Sequence, residues 1–257
     1  MRVSSNELGS LLNRVFEGQG FVDFEAATKQ VVWLQQCGLQ GLAHLADCVD
    51  KLEQSSDSLV QLCDDSAEQM SLNCYHNSTL AVGGAAVDLA LSEAMQTGTA
   101  TLRLEHCHNL IFILQPLAER ASRGMNCMAH WQVAGSPVLE HLAIFPAGDS
   151  YPNYLVWESL EPAARHRDDT LTLACSDAIE ALEDYKEQYC SSGTPYLAQV
   201  TAAEFQANER CSLDKGIAVD DAVWQRLCLL GERVLVASTE ASRSRGAGPA
   251  DSGTSGA

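Results

Sequence analysis

Over residues 71–158 the sequence switches repeatedly between a helical and a strand-like period, with short connections. "VGGAAVDLALSEAMQTG" is rich in small residues and predicts a helix ending at Gly98. "TATLRLEHC" has the texture of a strand. "LIFILQPLAERASRG" predicts another helix, with Pro116 as a blemish in its early part. "MNCMAHWQV", "LEHLAIFPAG" and "NYLVWESL" predict three strands. Helix and strand alternating in this way require an α/β lobe, with helices packed on a sheet.

The flanks are helical. Ser4-x-x-Glu7 is a capping box, and Leu8, Leu11, Leu12, Val15 and Phe16 recur behind it at helical spacing. Asp23 caps a second helix that Gly38 stops. Leu39 to Leu52 predicts a third, with Leu42, Leu45, Val49 and Leu52 on one stripe and His44 beside it. Ser55 to Gln69 is polar and predicts a loop. Helices are expected near Thr201–Cys211 and Asp220–Val236, and "SDAIEALEDYKEQYC" predicts an amphipathic one with Ser176 or Asp177 near its cap. The organisation expected is a helical segment over 1–54, an α/β lobe with C-terminal helices over 70–236, and a flexible Gly/Ser/Ala-rich tail over 237–257.

The charge is lopsided: 34 acidic residues against 16 basic ones, a net −18. That balance repels phosphate backbones and anionic bilayers, so neither nucleic acid nor membrane is an expected partner. No apolar run reaches bilayer length, and "MRVSSNELGSLLNRVFEGQG" lacks a secretory h-region, which predicts a cytoplasmic location. None of the ten cysteines forms C-x-x-C, so free thiols are expected and zinc-knuckle spacing is missing.

Few motifs carry chemistry. Gly83-Gly84 is expected just before a helix, where amides could hold an anion or the glycines could simply permit close packing. "EHCHN" is the densest titratable cluster. On a strand, His106 and His108 would share one face, and Cys107 and Glu105 the other. Two histidines so placed could present a metal, with His130 as a third ligand, or deliver polar groups to a cleft at a strand end. His44 is expected to be a half-buried helical histidine. Asp64-Asp65, Asp168-Asp169 and Asp220-Asp221 are expected to be solvated caps. Arg243 and Arg245, among Ser238, Thr239, Ser242 and Ser244, could bind an anion or the protein's own acidic surface.

The order of segments resembles the type-2 malate/lactate dehydrogenases. "VSSNELGSLLNRVFEGQG" and "GLQGL" are similar to the family's N-terminal part. "GGAAVDLALSEAMQTGTATLRLEHCHNLIFILQPLAERASRGMNCMAHW", "HLAIFPAGDSYPNYLVWESL" and "GIAVDDAVWQRLCLLGERV" are similar to its later segments. "ASTEASRSRGAG" is similar to an uncharacterised bacterial family. The resemblance implies a non-Rossmann α/β fold with a mixed sheet, a dimer, NAD or NADP as cofactor, and a cofactor-side histidine at His108. Gly83 and Gly84 would then also lie toward the cofactor.

The departures bear on function. In the family a Ser-His-Gly segment supplies the proton donor. Here "GLQGL" runs straight into "AHLADCVDKL", and His44 falls in the helix beyond. The family's nearby substrate-carboxylate arginine and its Gly-His-Lys-Gly-like segment are also missing. The expected protein is therefore a shortened dehydrogenase-like scaffold that lacks the proton donor and binds a small metabolite or a partner subunit. The alternative is an NAD(P)H-dependent oxidoreductase with a rearranged site built on His108, His106 and Glu105.

Overall fold

A computed structural model describes residues 1–52, 60–65, 70–159, 167, 169–190 and 193–232. A short strand, β1 (Arg2–Val3), precedes α1 (Ser5–Gly18). The predicted capping box opens this helix. The Glu7 amide donates to the Ser4 hydroxyl at 3.2 Å, and the Ser4 amide donates to the Glu7 carboxylate at 2.8 Å. Asp23 caps α2 (Phe24–Gln36), and α3 (Gly41–Leu52) follows. The predicted stripes of α1 and α3 are buried. Fully burying one such leucine is worth about 2 kcal/mol.

Gly41 sets how closely α3 meets α2. A Cβ there would lie 2.4 Å from the Val31 carbonyl oxygen and 2.9 Å from the Leu34 Cβ. Gln40 just before it is left-handed, at φ 54°. The Leu42 amide donates to Gln35 Oε1 at 3.0 Å. These contacts fix the start of α3 and hence which of its faces looks at the sheet.

Among the described residues the sheet has eight strands: β2 (Gln61–Asp65), β3 (Met70–Asn73), β4 (Thr99–Glu105), β5 (Asn126–Val133), β6 (Leu139–Phe145), β7 (Asn153–Glu158), β8 (Leu171–Ser176) and β9 (Tyr196–Val200). Their spatial order is β2-β3-β4-β8-β5-β6-β7-β9. Only β3 and β4 are parallel, joined through α4 (Thr79–Thr97), and the other neighbours run antiparallel. The sheet is therefore mixed. Residues 61–65, expected in a polar loop, are an edge strand, where polar side chains are tolerated. The expected helix after β4 splits into a 3₁₀ turn (Leu110–Ile113) and α5 (Leu114–Ala121). Pro116 falls in the first turn of α5, where its missing N–H leaves no bond unmade.

The C-terminal part adds α6 (Ile179–Tyr189), α7 (Ala202–Lys215), β10 (Ile217–Ala218) and α8 (Asp221–Gly231). Val3 pairs with Ile217, so β1 and β10 tie the two ends of the described chain together. On the sheet, alternate residues face opposite layers. Trp131, Phe145, Tyr154 and Leu173 join the large core with α1, α2, α4 and α5. Met128, Leu142, Leu155 and Trp157 face a smaller core with Leu182 of α6. The tail 237–257, with Arg243 and Arg245, lies outside the described residues, as does Asp168.

Candidate functional site

Two adjoining cavities lie between α3 and the ends of the sheet strands. One, of about 300 Å³, is lined by His44, Asp47, Leu110, Trp131 and His141 among others. The second, of about 210 Å³, includes Cys48, His76, Ser78 and His108. They share Asp47 and Asn109 and form one groove. His44, Asp47 and Cys48 stand at i, i+3 and i+4, the spacing that puts side chains on one helix face.

His141 is the most constrained group in this groove. It sits on β6 and faces the large-core side, stacked on Trp131 at 5.2 Å between ring centroids. Its Nδ1 lies 2.6 Å from the Tyr154 hydroxyl. Its Nε2 is buried and has no hydrogen-bond partner. Burial brings the His141 pKa down to about 4, with the nearby His130 and His44 adding to the fall and Glu140 opposing it. Burial also raises Tyr154 above the ordinary phenol range. At neutral pH both groups are uncharged. When the Tyr154 hydroxyl donates to Nδ1, the remaining proton of the imidazole is on Nε2.

His44 lines the same cavity. Its ring meets Phe112 edge-on at 6.5 Å between centroids. The expectation of a half-buried helical histidine is corrected: His44 is exposed on the groove side. Desolvation on its protein side still lowers its pKa, more than Asp47 raises it.

The "EHCHN" cluster is divided rather than gathered. β4 stops at Glu105, and His106 turns left-handed at φ 53°, which ends the alternation expected of a strand. Glu105 points to the α6 side, 3.4 Å from Arg103 Nε. His106 Nδ1 donates to Asp169 Oδ2 at 2.9 Å, and His108 lines the groove. Burial raises Asp169, but the His106 contact and Thr170 bring it below the ordinary carboxylate range. His76, absent from the sequence expectations, joins the two histidines. Its ring centroid is 5.3 Å from His106 and 5.4 Å from His108.

Tyr75, His76, His106 and Asn109 all have left-handed backbones, at φ 47°, 62°, 53° and 57°. Non-glycine residues in this region cost free energy and cluster at functional sites. They crowd the ends of the parallel pair β3 and β4, where open sheets present ligand crevices. The backbone is zipped past the strand ends: the His76 amide donates to the His106 carbonyl at 2.7 Å, and the His108 amide donates to Asn77 at 3.0 Å.

Gly83 and Gly84 are corrected in position. α4 begins at Thr79, behind the N-cap Ser78, so both glycines lie in its second turn, past the first-turn amides. A Cβ on Gly83 would press Ile113 at 3.1 Å, while Gly84 faces open space. Close packing is the role Gly83 plays. The first-turn amides have partners in the protein as well: Thr79 donates to the His108 carbonyl, Leu80 to Ser78 Oγ and Ala81 to the Ser78 carbonyl.

His130 is removed from His106 and His108, on the α6 side of the sheet. Its Nε2 contacts Glu140 at 2.8 Å, and its ring stacks on Tyr189 at 3.8 Å. Among the described residues no three His, Cys, Asp or Glu side chains are placed to share a metal ion. No helix among them is long and apolar enough to cross a membrane.

Comparison with known proteins follows this geometry. A family described as a protein of unknown function (DUF3726) matches residues 3–72. Comparison with curated proteins finds no match. Solved structures are similar over nearly the whole chain. Malate dehydrogenase from Pyrococcus horikoshii OT3 has a TM-score of 0.63 and 13% identity, covering 93% of this chain and 97% of that one. Sulfolactate dehydrogenase from Methanocaldococcus jannaschii has a TM-score of 0.64 and 11% identity, covering 91% and 97%. Δ1-piperideine-2-carboxylate reductase from Pseudomonas syringae pvar. tomato has a TM-score of 0.61 and 13% identity, covering 90% and 99%. At these identities the likeness is one of fold: the chain has the mixed α/β fold of the malate/lactate dehydrogenase-like proteins.

Proposed function

We propose that this dehydrogenase-like protein is a scaffold whose groove beneath α3 binds a small carbonyl- or hydroxyl-bearing metabolite. The observation that carries this is the buried, partnerless Nε2 of His141. A buried polar atom without a partner costs about 1–3 kcal/mol, and a ligand hydroxyl or carbonyl that pairs with it recovers that cost. His44 supplies a second imidazole in the same cavity, and Asp47 favours a ligand that is neutral or carries an amine.

A 2-hydroxy acid is a poor match for these walls. The described residues lining both cavities include no Lys or Arg to receive a carboxylate. The nicotinamide cofactor implied by the resemblance is also poorly served. Its pyrophosphate needs free amides or cations, and the first-turn amides of α4 are spent within the chain. The homodimer implied by the resemblance belongs to the same proposal, and light scattering tests it.

A second reading is an NAD(P)H-dependent oxidoreductase acting on a small carbonyl. The neutral His141 favours it, because an N–H donor held at a carbonyl oxygen stabilises negative charge that develops there. Titration of the purified chain with NADH and NADPH, followed by nicotinamide fluorescence and thermal shift, separates the two. Absence of binding at millimolar cofactor supports the scaffold. Saturable binding overturns it in favour of the reductase.

A further inference from the structure

On the α6 side of the sheet, opposite the groove, Arg103, Thr172 and His130 stand in one row across β4, β8 and β5. Thr172 is the register partner of both Arg103 and His130. The three floor a cavity of about 290 Å³, walled further by Gln132, Arg167 and Tyr189. Part of this wall is rigid. Glu140 accepts from Gln132 at 2.9 Å and from Ser159 at 2.6 Å, and its other oxygen contacts His130, so its own needs are met. The Arg167 amide donates to Gln132 Oε1 at 3.0 Å, which anchors that residue at the rim.

The two guanidiniums are less well met. Glu105 Oε1 lies 3.4 Å from Arg103 Nε and 3.6 Å from Arg167 Nη1. Both distances exceed the roughly 2.7–2.9 Å of a charge-assisted hydrogen bond. Arg103 Nε is buried and donates to nothing. Among the described residues Glu105 is the one carboxylate within ion-pair distance of both arginines, because Glu140, the other carboxylate of the wall, is taken up by Gln132, Ser159 and His130.

We propose that this cavity is a binding site for a small oxyanion, the phosphate or carboxylate group of a metabolite, seated between Arg103 and Arg167. The arginine fork matches either group, and the Arg103 Nε–H supplies a donor that Glu105 leaves unmet. Glu105 competes with the ligand for the same guanidiniums and so sets the affinity. The site lies on the opposite face of the sheet from the groove under α3, the two meeting at Trp131 and Gln132.

The test is a titration of the full chain with inorganic phosphate and, separately, with succinate, each balanced against chloride at constant ionic strength. Binding is followed by the arginine Nε–H resonances and by thermal shift. One probe is expected to saturate and to move the Arg103 resonance; phosphate saturating names a phosphate ligand, and succinate a carboxylate. Glu105→Gln should tighten binding roughly tenfold by removing the competing anion, and Arg103→Gln and Arg167→Gln should each weaken it roughly tenfold. Arg167 is exposed at the rim, so its loss tests the site without threatening the fold. The proposal is overturned if neither probe saturates at millimolar concentration. It is equally overturned if Glu105→Gln and Arg167→Gln bind as the parent chain does.

Discussion

His141 Nδ1 lies 2.6 Å from the Tyr154 hydroxyl, on the neighbouring strand, and this contact decides where the second imidazole nitrogen points its chemistry. Tyr154→Phe removes the contact and leaves a buried ring nitrogen unmet. The expected cost is about 1–3 kcal/mol in urea unfolding. Nitrogen NMR of the His141 ring should change from one tautomer to a mixture. An unaltered tautomer would show that something other than Tyr154 holds the ring.

The depressed pKa of His141 makes stability depend on pH. Its folded value of about 4 lies below the ordinary 6.5, so between those values the unfolded chain binds the extra proton. Stability is therefore full above pH 6.5 and is lost as pH falls toward about 4. His44, also lowered, acts in the same direction. The loss from His141 should be on the order of 3 kcal/mol. Unfolding free energies measured across this range should fall less steeply for His141→Gln. An equal slope in parent and variant would assign the dependence to other groups.

Two glycines should respond to alanine with opposite signs. Gly41→Ala drives a Cβ to 2.4 Å from the Val31 carbonyl, so α3 must shift away from α2. A loss of about 1–3 kcal/mol is expected. Gly84→Ala meets nothing within 4 Å inside α4 and should gain about 0.5–1 kcal/mol. Chemical denaturation of both variants checks the pair. A neutral Gly41→Ala would mean that α3 is not held against α2 as described.

The cysteines should sort by exposure. Cys63 and Cys211 are exposed and Cys228 is half-buried, while the other seven are buried. The Cys175 thiol, 3.9 Å from it, and burial together push the Cys127 thiol far above its ordinary range. An alkylating reagent should label Cys63 and Cys211 quickly, Cys228 more slowly, and the rest only on unfolding. Rapid native labelling of Cys74 or Cys107 would contradict their burial beside the groove.

The parts of the fold legible in the sequence are those with local signals. The Ser4–Glu7 box, the Asp23 cap and the periods of α4, β4, β5, β6 and β7 all appear where expected. The insertion of β8 between β4 and β5 is a long-range pairing and leaves no local trace. His106 broke the expected alternation because a left-handed non-glycine residue carries no compositional mark. Ser78, the true cap of α4, was visible in "NST" before the apolar run, and placing the helix start there would have put Gly83 and Gly84 inside it.

The groove was harder to see because its residues come from distant segments. His44 stands on α3, His76 after β3, His108 after β4 and His141 on β6. One signal was available. In "LEHLAIF" the period of two puts His141 on the same side as Ala143 and Phe145, so a histidine faced the core. Nothing in the sequence reveals that Tyr154 meets its ring. That contact follows from the β6–β7 register.

The most direct test of the proposed groove is a thermal-shift screen of small carbonyl, hydroxyl and amine metabolites against the parent chain and His141→Gln. A ligand at a hundred times its dissociation constant should add about 2.7 kcal/mol of stability. The expected result is at least one stabilising compound whose effect disappears in His141→Gln. Compounds that stabilise both proteins equally, or none that stabilises the parent, would contradict a ligand site built on His141.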